Sequence, residues 1–365
     1  MDQTSQKPQE QETASRLSHA SPPLQWALLF ALSALVVVLL ELASVPAPLL
    51  IGPMLAGIVI GVSGGAVRVP TPAFGLAQGV IGCLIANSVS ADILGLFYAS
   101  WPPILGAVMA TLAASGFLGW LISRLRILPG TTALWGSAPG AAAVMVLMAG
   151  SFGADQRLVA VMQYLRVIII SLSASLIAGL WIDTTRVDVP DIIWFPPLQT
   201  GLLVTLAVAI GGASLGKVLR LPSPFFLGAM FIGMALHLGT GLEFDLPPWL
   251  LGMSYAMIGW HVGLGFTRPA LHHAMRALPQ ILGSIAALLI FCAGLGWLMS
   301  RMLGIDPMTA YLATSPGAME TIAIIAAATD KVDLSFVMAM QTSRFMIVLL
   351  IGPPIARLFA RRMVN

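Results

Sequence analysis

Pro46-Ala47-Pro48-Leu49-Leu50-Ile51-Gly52-Pro53-Met54-Leu55-Ala56-Gly57 returns in the second half of the chain as Pro222-Ser223-Pro224-Phe225-Phe226-Leu227-Gly228-Ala229-Met230-Phe231-Ile232-Gly233. The prolines, both glycines and the methionine keep their spacing. Sliding the second half back by about 177 positions lays Gly82 on Gly259, Arg124 on Arg301, Thr132-Ala133 on Thr309-Ala310, and Pro139-Gly140 on Pro316-Gly317. After one inserted residue, Asp155, Met162, Gln163 and Arg166 meet Asp333, Met340, Gln341 and Arg344. Ordered matches of Pro, Gly, Gln and Arg at a fixed period are the mark of an internal repeat. The expected organisation is a disordered cytoplasmic tail over 1–20, a first repeat over 21–190 and a second over 191–365.

Composition fixes the solvent. Of 365 residues 58% are hydrophobic and 9% charged, with a mean hydropathy of +0.92. Soluble domains carry about 25% charged residues, so this chain cannot cover a globular surface with polar groups. Apolar runs of about 20 residues recur from Leu24 onward, which predicts a multi-pass membrane protein without a cleavable signal. The tail is too poor in apolar residues to fold by itself. The net charge of +3 comes from short loops beside apolar runs, which makes it a topology signal and predicts no nucleic-acid binding. Cys83 and Cys292 stand in apolar segments without metal-ligand spacing, and His237, His261, His272 and His273 form no cluster, with the last two expected in a loop between Arg268 and Arg276. No metal and no cofactor is expected.

Each copy reads as six apolar segments: 24–43, 49–62, 74–91, 101–123, 131–153 and 157–181, then 197–216, 224–241, 249–266, 277–300, 308–329 and 334–356. The fifth segments carry Ser137-Ala138-Pro139-Gly140 and Thr314-Ser315-Pro316-Gly317 near their starts. Proline removes a backbone donor and glycine loosens the helix, so both are expected to break. Broken backbone at membrane depth survives only where protein or a water-filled cavity satisfies it.

Loop charges decide whether these segments cross. Setting Arg166 and Arg344 aside leaves sixteen Lys and Arg. If all segments cross, ten lie inside and six outside. If the fifth segments dip in and return, thirteen lie inside and only Arg186, Arg301 and Lys331 outside. The positive-inside rule favours the second arrangement. Each repeat then has five crossings plus a re-entrant or broken Pro-Gly hairpin, and an odd number of crossings turns the repeats upside down relative to each other. The predicted fold is all-α, with two inverted repeats in the bacterial inner membrane and a cytoplasmic N-terminus.

Inverted repeats with equivalent interruptions are the pattern of secondary transporters, whose sites lie near the midplane where broken helices meet. Half-helix N-termini at Ser137, Pro139 and Gly140 and at Ser315, Pro316 and Gly317 would present N–H groups to a polar or anionic ligand. Arg166 and Arg344 are the Lys or Arg placed inside crossings, with Gln163 and Gln341 three residues earlier on the same helical face. A charge at that depth must meet a partner, a cavity or the C-terminal end of a half-helix. The arginines either join a binding site or neutralise helix dipoles, and the residues alone leave both open. Glu320 has no counterpart in the first repeat; it would either carry a coupling proton or form a fixed ion pair. Asn87-Ser88 and Trp260-His261 are expected to find polar partners on neighbouring helices.

Taken together, Gly52-Pro53-Met54-Leu55-Ala56-Gly57, Ser137-Ala138-Pro139-Gly140 with Gln163-Tyr164-Leu165-Arg166, and Thr314-Ser315-Pro316-Gly317-Ala318-Met319-Glu320 with Gln341-Thr342-Ser343-Arg344 are family motifs. The chain resembles the AbrB-type integral membrane protein family, with its duplicated domain, over nearly everything after residue 20. Members carry names as transcriptional regulators or ammonia monooxygenases, and the family is similar to inverted-repeat cation/proton antiporters and anion transporters. The residues do not favour either name. A DNA-binding regulator needs a soluble basic element, and a monooxygenase needs a redox metal or organic cofactor; the sequence offers neither, so no enzyme is expected. Expected partners are the lipid bilayer and a small-molecule or ion substrate, and a homodimer is compatible with the sequence. A membrane sensor that affects gene expression indirectly is the alternative.

Overall fold

A computed structural model of the chain describes residues 20–43, 45, 47–87, 95, 101–125, 127–128, 131–140, 142–181, 193–197, 200–221, 223–317, 322, 326 and 332–363, the side chains of 171, 175–181 and 352–363 excepted. Nearly all of the tail, the junction between the repeats and Glu320 lie outside the described residues.

The described chain is all-α. The first repeat holds α1 (Pro22–Leu42), α2 (Pro48–Val62), α3 (Thr71–Asn87), α4 (Trp101–Arg124), α5 (Thr132–Ser137), α6 (Ala142–Ser151) and α7 (Gln156–Trp181). The second holds α8 (Thr200–Val218), α9 (Pro224–Thr240), α10 (Pro248–Gly263), α11 (Arg268–Leu303), α12 (Pro307–Thr314) and α13 (Leu334–Met363). Six of these, α1, α4, α7, α8, α11 and α13, are long and apolar enough to span a bilayer. α1 turns Leu24, Leu28, Phe30, Leu35, Val38 and Leu39 outward, a surface suited to lipid tails and not to water.

Symmetry appears in small details. Ala47 and Ser223 cap α2 and α9, both with left-handed backbone (φ 54° and 56°) ahead of a proline at the first helical turn. Such a conformation costs on the order of 1–3 kcal/mol, so the same bend was kept twice against strain. Arg124 lies over Trp120 at the end of α4, and Arg301 over Trp297 at the end of α11. Both cations favour the negative end of their helix.

Helix directions establish the inversion. Gln25, at the start of α1, accepts a hydrogen bond at 2.8 Å from Ala66 N, just past the end of α2, so α1 and α2 are antiparallel. Along α2, Leu50 and Met54 lie against Gly259, Gly57 against Gly263 and Gly61 against Phe266, which makes α2 and α10 parallel. Along α3, Gly75 meets Phe225, Gly82 meets Phe226 and Met230, and Ala86 meets Gly233, so α3 and α9 are parallel. α3 opposes α10, because Phe74 in its first turn stacks on His261 in the last turn of α10 while Val80 clusters with Leu250. It follows that α9 runs opposite to its counterpart α2. The repeats are inverted.

Two bodies result. A panel combines α1, α2 and α3 with α8, α9 and α10, and a core combines α4 to α7 with α11 to α13. Small residues bring the panel helices close. At Gly228 an added side-chain carbon would stand 2.0 Å from the Gly212 carbonyl oxygen, so this crossing admits only glycine. Trp260 Nε1 donates to Ser33 Oγ at 2.9 Å and Asn87 Oδ1 accepts from Phe244 N at 3.3 Å, as expected at those two positions, whereas His261, expected to hydrogen-bond a neighbouring helix, stacks on Phe74, and Ser88 lies outside the described residues.

One boundary differs from the sequence reading. Residues 268–276, expected as a loop, form the first turns of α11, a 36-residue helix about 54 Å long at 1.5 Å per residue. Thr267 caps it by accepting from Ala270 N, a proline occupies its first turn, and Ala, Leu and Met follow. His272 and His273 are therefore helical. A helix so much longer than the roughly 30 Å hydrocarbon layer must project from it or tilt.

Candidate functional site

The fifth segments break where the Pro-Gly pairs stand. In the first repeat α5 ends at Ser137, the chain passes through Ala138 to Gly140, and α6 starts at Ala142. Thr132 Oγ1, at the start of α5, accepts from Asp155 N, beyond α6, at 3.2 Å, and the Trp135 and Phe152 rings stack. The segment therefore enters and leaves on one side. In the second repeat Thr309 Oγ1 accepts from Asp333 N at 3.1 Å in the same way. Asp306 fixes the entry of that hairpin by accepting from Met308 N and Thr309 N ahead of Pro307. Both segments are re-entrant hairpins, and the inversion brings them in from opposite faces.

Each break is held by one Gln and one Arg from the following helix. Gln163 Nε2 donates to the carbonyls of Trp135 (2.8 Å) and Ala138 (3.0 Å). Arg166 donates to the carbonyls of Ser137 (3.2 Å), Ala138 (2.8 Å) and Gly140 (3.3 Å) and to Gln163 Oε1 (2.6 Å). In the second repeat Gln341 Nε2 donates to Leu312 O (2.8 Å) and Ser315 O (3.0 Å). Arg344 donates to Thr314 O (3.3 Å), to Ser315 O (3.0 Å) and to Gln341 Oε1. All four side chains are buried, Gln163 at 0% exposure and Arg166, Gln341 and Arg344 at 2%, 2% and 5%. The chemistry is dictated by the break: interrupted helices leave orphan carbonyls, a low-dielectric interior makes these costly, and the Gln and Arg donors reach them from the next helix.

The sequence reading put N–H groups at Ser137 and Ser315. The structure puts carbonyls there, because both residues close the first half-helix of their hairpin. A helix C-terminus carries negative partial charge, and a cation is its natural neighbour. Of the two roles left open for Arg166 and Arg344, dipole neutralisation is the one whose contacts are visible. Ser137 Oγ turns back to Ala133 O, Pro139 and Pro316 are buried in the breaks, and Gly317 faces Ile322 and Ile170. Glu320 falls outside the described residues.

Two features were not anticipated. Ser115 Oγ in α4 donates to Ser137 O at 2.9 Å, whereas in the second repeat Thr314 Oγ1 donates to Cys292 O in α11 at 3.0 Å. The same helix contact is bridged by a hydroxyl from opposite sides. The second feature is a cavity of about 830 Å³ at the open base of the first hairpin, between core and panel, lined by Arg68, Thr132, Asp155, Arg157, His261 and Gly265 among others. Arg157 spans its wall, pairing with Asp155 at 2.8 Å and donating to Gly265 O at 2.9 Å, 108 residues away. Burial alone would push the Asp155 carboxyl up, but the hydrogen bonds and charge of Arg157 outweigh it and hold the group below the usual carboxylate range. With Arg68 unmatched by any acid in this lining, the walls carry a net positive charge.

Comparison with known proteins gives the family. The family described as "Transition state regulatory protein AbrB" matches residues 49–360. A protein of Escherichia coli (strain K12) named "Putative regulator AbrB" is 46% identical over 337 residues, covering 92% of this chain and 97% of the relative. "Uncharacterized protein YhjN" of Bacillus subtilis (strain 168) is 26% identical over 311 residues, 78% of this chain and 77% of the relative. On the family match and the extent of the first relative, the chain belongs to the AbrB family of membrane proteins.

Proposed function

We propose that the protein is a secondary transporter of a small metabolite or ion in the bacterial inner membrane, with a cytoplasmic N-terminus and no enzymatic step. The observation that carries this reading is the pair of hairpins entering from opposite faces, each break held by a buried Gln-x-x-Arg set. Discontinuous helices at the interface of inverted repeats are where transporters of this architecture bind substrate. Support also comes from the cavity, which opens beside the first hairpin between the core and the panel. Arg157 would act there as a strut that holds the core on the panel. The partners of such a protein are the bilayer and its substrate.

Proteoliposomes loaded with a mixture of cell metabolites provide the test. At least one small solute should leave faster than from protein-free vesicles, and Arg344→Gln should slow it at least tenfold. If no solute moves faster with protein present, the transport reading fails. A second reading, a membrane sensor that influences gene expression indirectly, draws on the name of the Escherichia coli relative; ligand binding without flux would select it.

A further inference from the structure

The cavity at the base of the first hairpin has a volume of about 830 Å³, within the range of small-molecule sites. Its described charges are Arg68, Asp155 and Arg157. Asp155 is committed: Oδ1 accepts from Arg157 N and Nε at 3.0 Å and Oδ2 from Arg157 Nη2 at 2.8 Å, so these two charges cancel. Arg68 is left over. Of the acids outside the described residues, Asp92, Asp183, Asp188 and Asp191 follow the ends of α3 and α7 that lead away from the cavity, and Glu320 and Asp330 belong to the hairpin that enters from the opposite face. The acids of the tail, Asp2, Glu10 and Glu12, precede a helix that starts on the cavity's side.

Arg68 is also held in place. Gln25 Oε1 accepts from Ala66 N at 2.8 Å and from Val67 N at 3.3 Å and so pins the loop, with Val67 and Val69 buried on either side of the arginine. Arg68 Nη1 donates to Gly65 O at 3.0 Å and to Val67 O at 2.7 Å. Its Nε and Nη2 meet no acceptor among the described residues, and this is the edge that grips a carboxylate or phosphate with two parallel hydrogen bonds. A guanidinium fixed in advance loses little freedom when it binds. In the same lining His261 stacks on Phe74, and its ring nitrogens make no hydrogen bond among the described residues. The second repeat reverses the charge. Val67-Arg68-Val69-Pro70 matches Phe244-Asp245-Leu246-Pro247, and Asp155 and Arg157 match Asp333 and Ser335, so the equivalent places carry two acids and no base.

We infer that this cavity binds the carboxylate or phosphate group of a small organic anion on the free edge of Arg68, and that the solute carried by the protein is an anion that meets it on this face of the membrane. The second half rests on the transport reading; the binding site does not.

Thermal unfolding of the purified full chain is followed with sodium acetate, succinate, phosphate and glycerophosphate, against sodium chloride at matched ionic strength. At least one of the four should raise the midpoint by about 2 °C or more at saturation. Arg68→Gln should weaken its apparent affinity at least tenfold, and Arg68→Lys, which keeps the charge and loses the fork, should weaken it less. Arg124→Gln, at an exposed cation outside the described lining, should bind as the native chain does. In a background lacking Cys83 and Cys292, the same anion should slow maleimide labelling of Ala154→Cys in the cavity wall and leave that of Leu125→Cys unchanged, a readout that keeps Arg68 native. The inference is overturned if none of the four anions shifts the midpoint, if chloride shifts it as much, if Arg68→Gln binds natively, if Arg124→Gln loses as much as Arg68→Gln, or if Ala154→Cys is not protected. A shift with phosphatidylglycerol in mixed micelles but with no soluble anion would make this a lipid-headgroup site and overturn it too. So would a shift seen only after Asp2→Asn, Glu10→Gln and Glu12→Gln, which would make the tail acids the partners of Arg68. Flux without Arg68-dependent binding would leave transport standing and remove this inference; binding without flux would keep the cavity site and remove both transport and the solute assignment.

Discussion

The first hairpin shares a hydrophobic cluster with panel residues, Val144 to Ala149 with Met54, Ile81, Phe226 and Met230, whereas Leu312, Ala313, Ile322 and Ala326 of the second cluster with α4, α7, α11 and α13 of the core. The two hairpins nevertheless keep the same Gln and Arg grip on the same carbonyls. What is invariant between the copies is the satisfaction of a broken helix; what differs is the surface against which the break is packed. The cavity and the Arg157 strut belong to the first hairpin, since Ser335 stands one insertion away from the place of Arg157 and cannot form that bridge. On the transport reading proposed above, this difference corresponds to one access state, and a second state with the roles exchanged is expected.

The largest effect expected is the one that would break the shared grip. Arg166→Leu and Arg344→Leu each strand several buried carbonyls and should each cost about 3 kcal/mol or more, since hydrogen bonds to charged groups are worth about 1.5–3 kcal/mol apiece. Chemical denaturation in detergent reads this, and a full tolerance of either variant would end the equivalence of the hairpins. A smaller effect sharpens the comparison. Ser115→Ala and Thr314→Val each remove a single neutral bridge across the same helix contact and should each cost about 1 kcal/mol. A cost in only one repeat would show that the swapped hydroxyls are not equivalent.

Smaller still is the strut. Side chains of Arg157 and Asp155 are 33% and 22% exposed, so solvent screening limits the loss from Arg157→Ala to about 1 kcal/mol or less. Its readout is labelling: Thr132→Cys at the cavity should react several-fold faster with a maleimide when Arg157 is removed, while Thr309→Cys in the second hairpin should not change. Acid should act the same way. The Asp155 carboxyl sits below its ordinary range when folded, so its stabilisation is complete above that range and fades as pH falls through the lowered value. Labelling of Thr132→Cys should therefore rise at acidic pH, and Asp155→Asn should abolish the dependence.

Much of the fold was legible because duplication writes itself into spacing. Two prolines flanking Ala47 and Ser223, and Gln163-x-x-Arg166 against Gln341-x-x-Arg344, need no coordinates to be matched. Loop charge carried the re-entrant reading. The direction of the broken ends was not legible: Ser137-Ala138-Pro139-Gly140 says that a helix stops, but not that the carbonyl end of α5 is what the arginine meets. The strut was beyond reach for another reason, since Arg157 and Gly265 stand 108 residues apart and one partner is a backbone oxygen with no side-chain signature. The start of α11 differs from the expected loop because charged residues at 268 and 276 suggest a loop, where capping at Thr267 begins a helix.

Inversion of the repeats is the claim from which the hairpin geometry and the binding site follow. Leu125 and Met302 occupy equivalent places at the ends of α4 and α11, and both are exposed, at 62% and 75%. In a background lacking Cys83 and Cys292, Leu125→Cys and Met302→Cys are tested with a membrane-impermeant maleimide added to one side of sealed vesicles. With inverted repeats, Leu125→Cys reacts from one face and Met302→Cys only from the other. Reaction of both from the same face would make the repeats parallel and rule the inversion out.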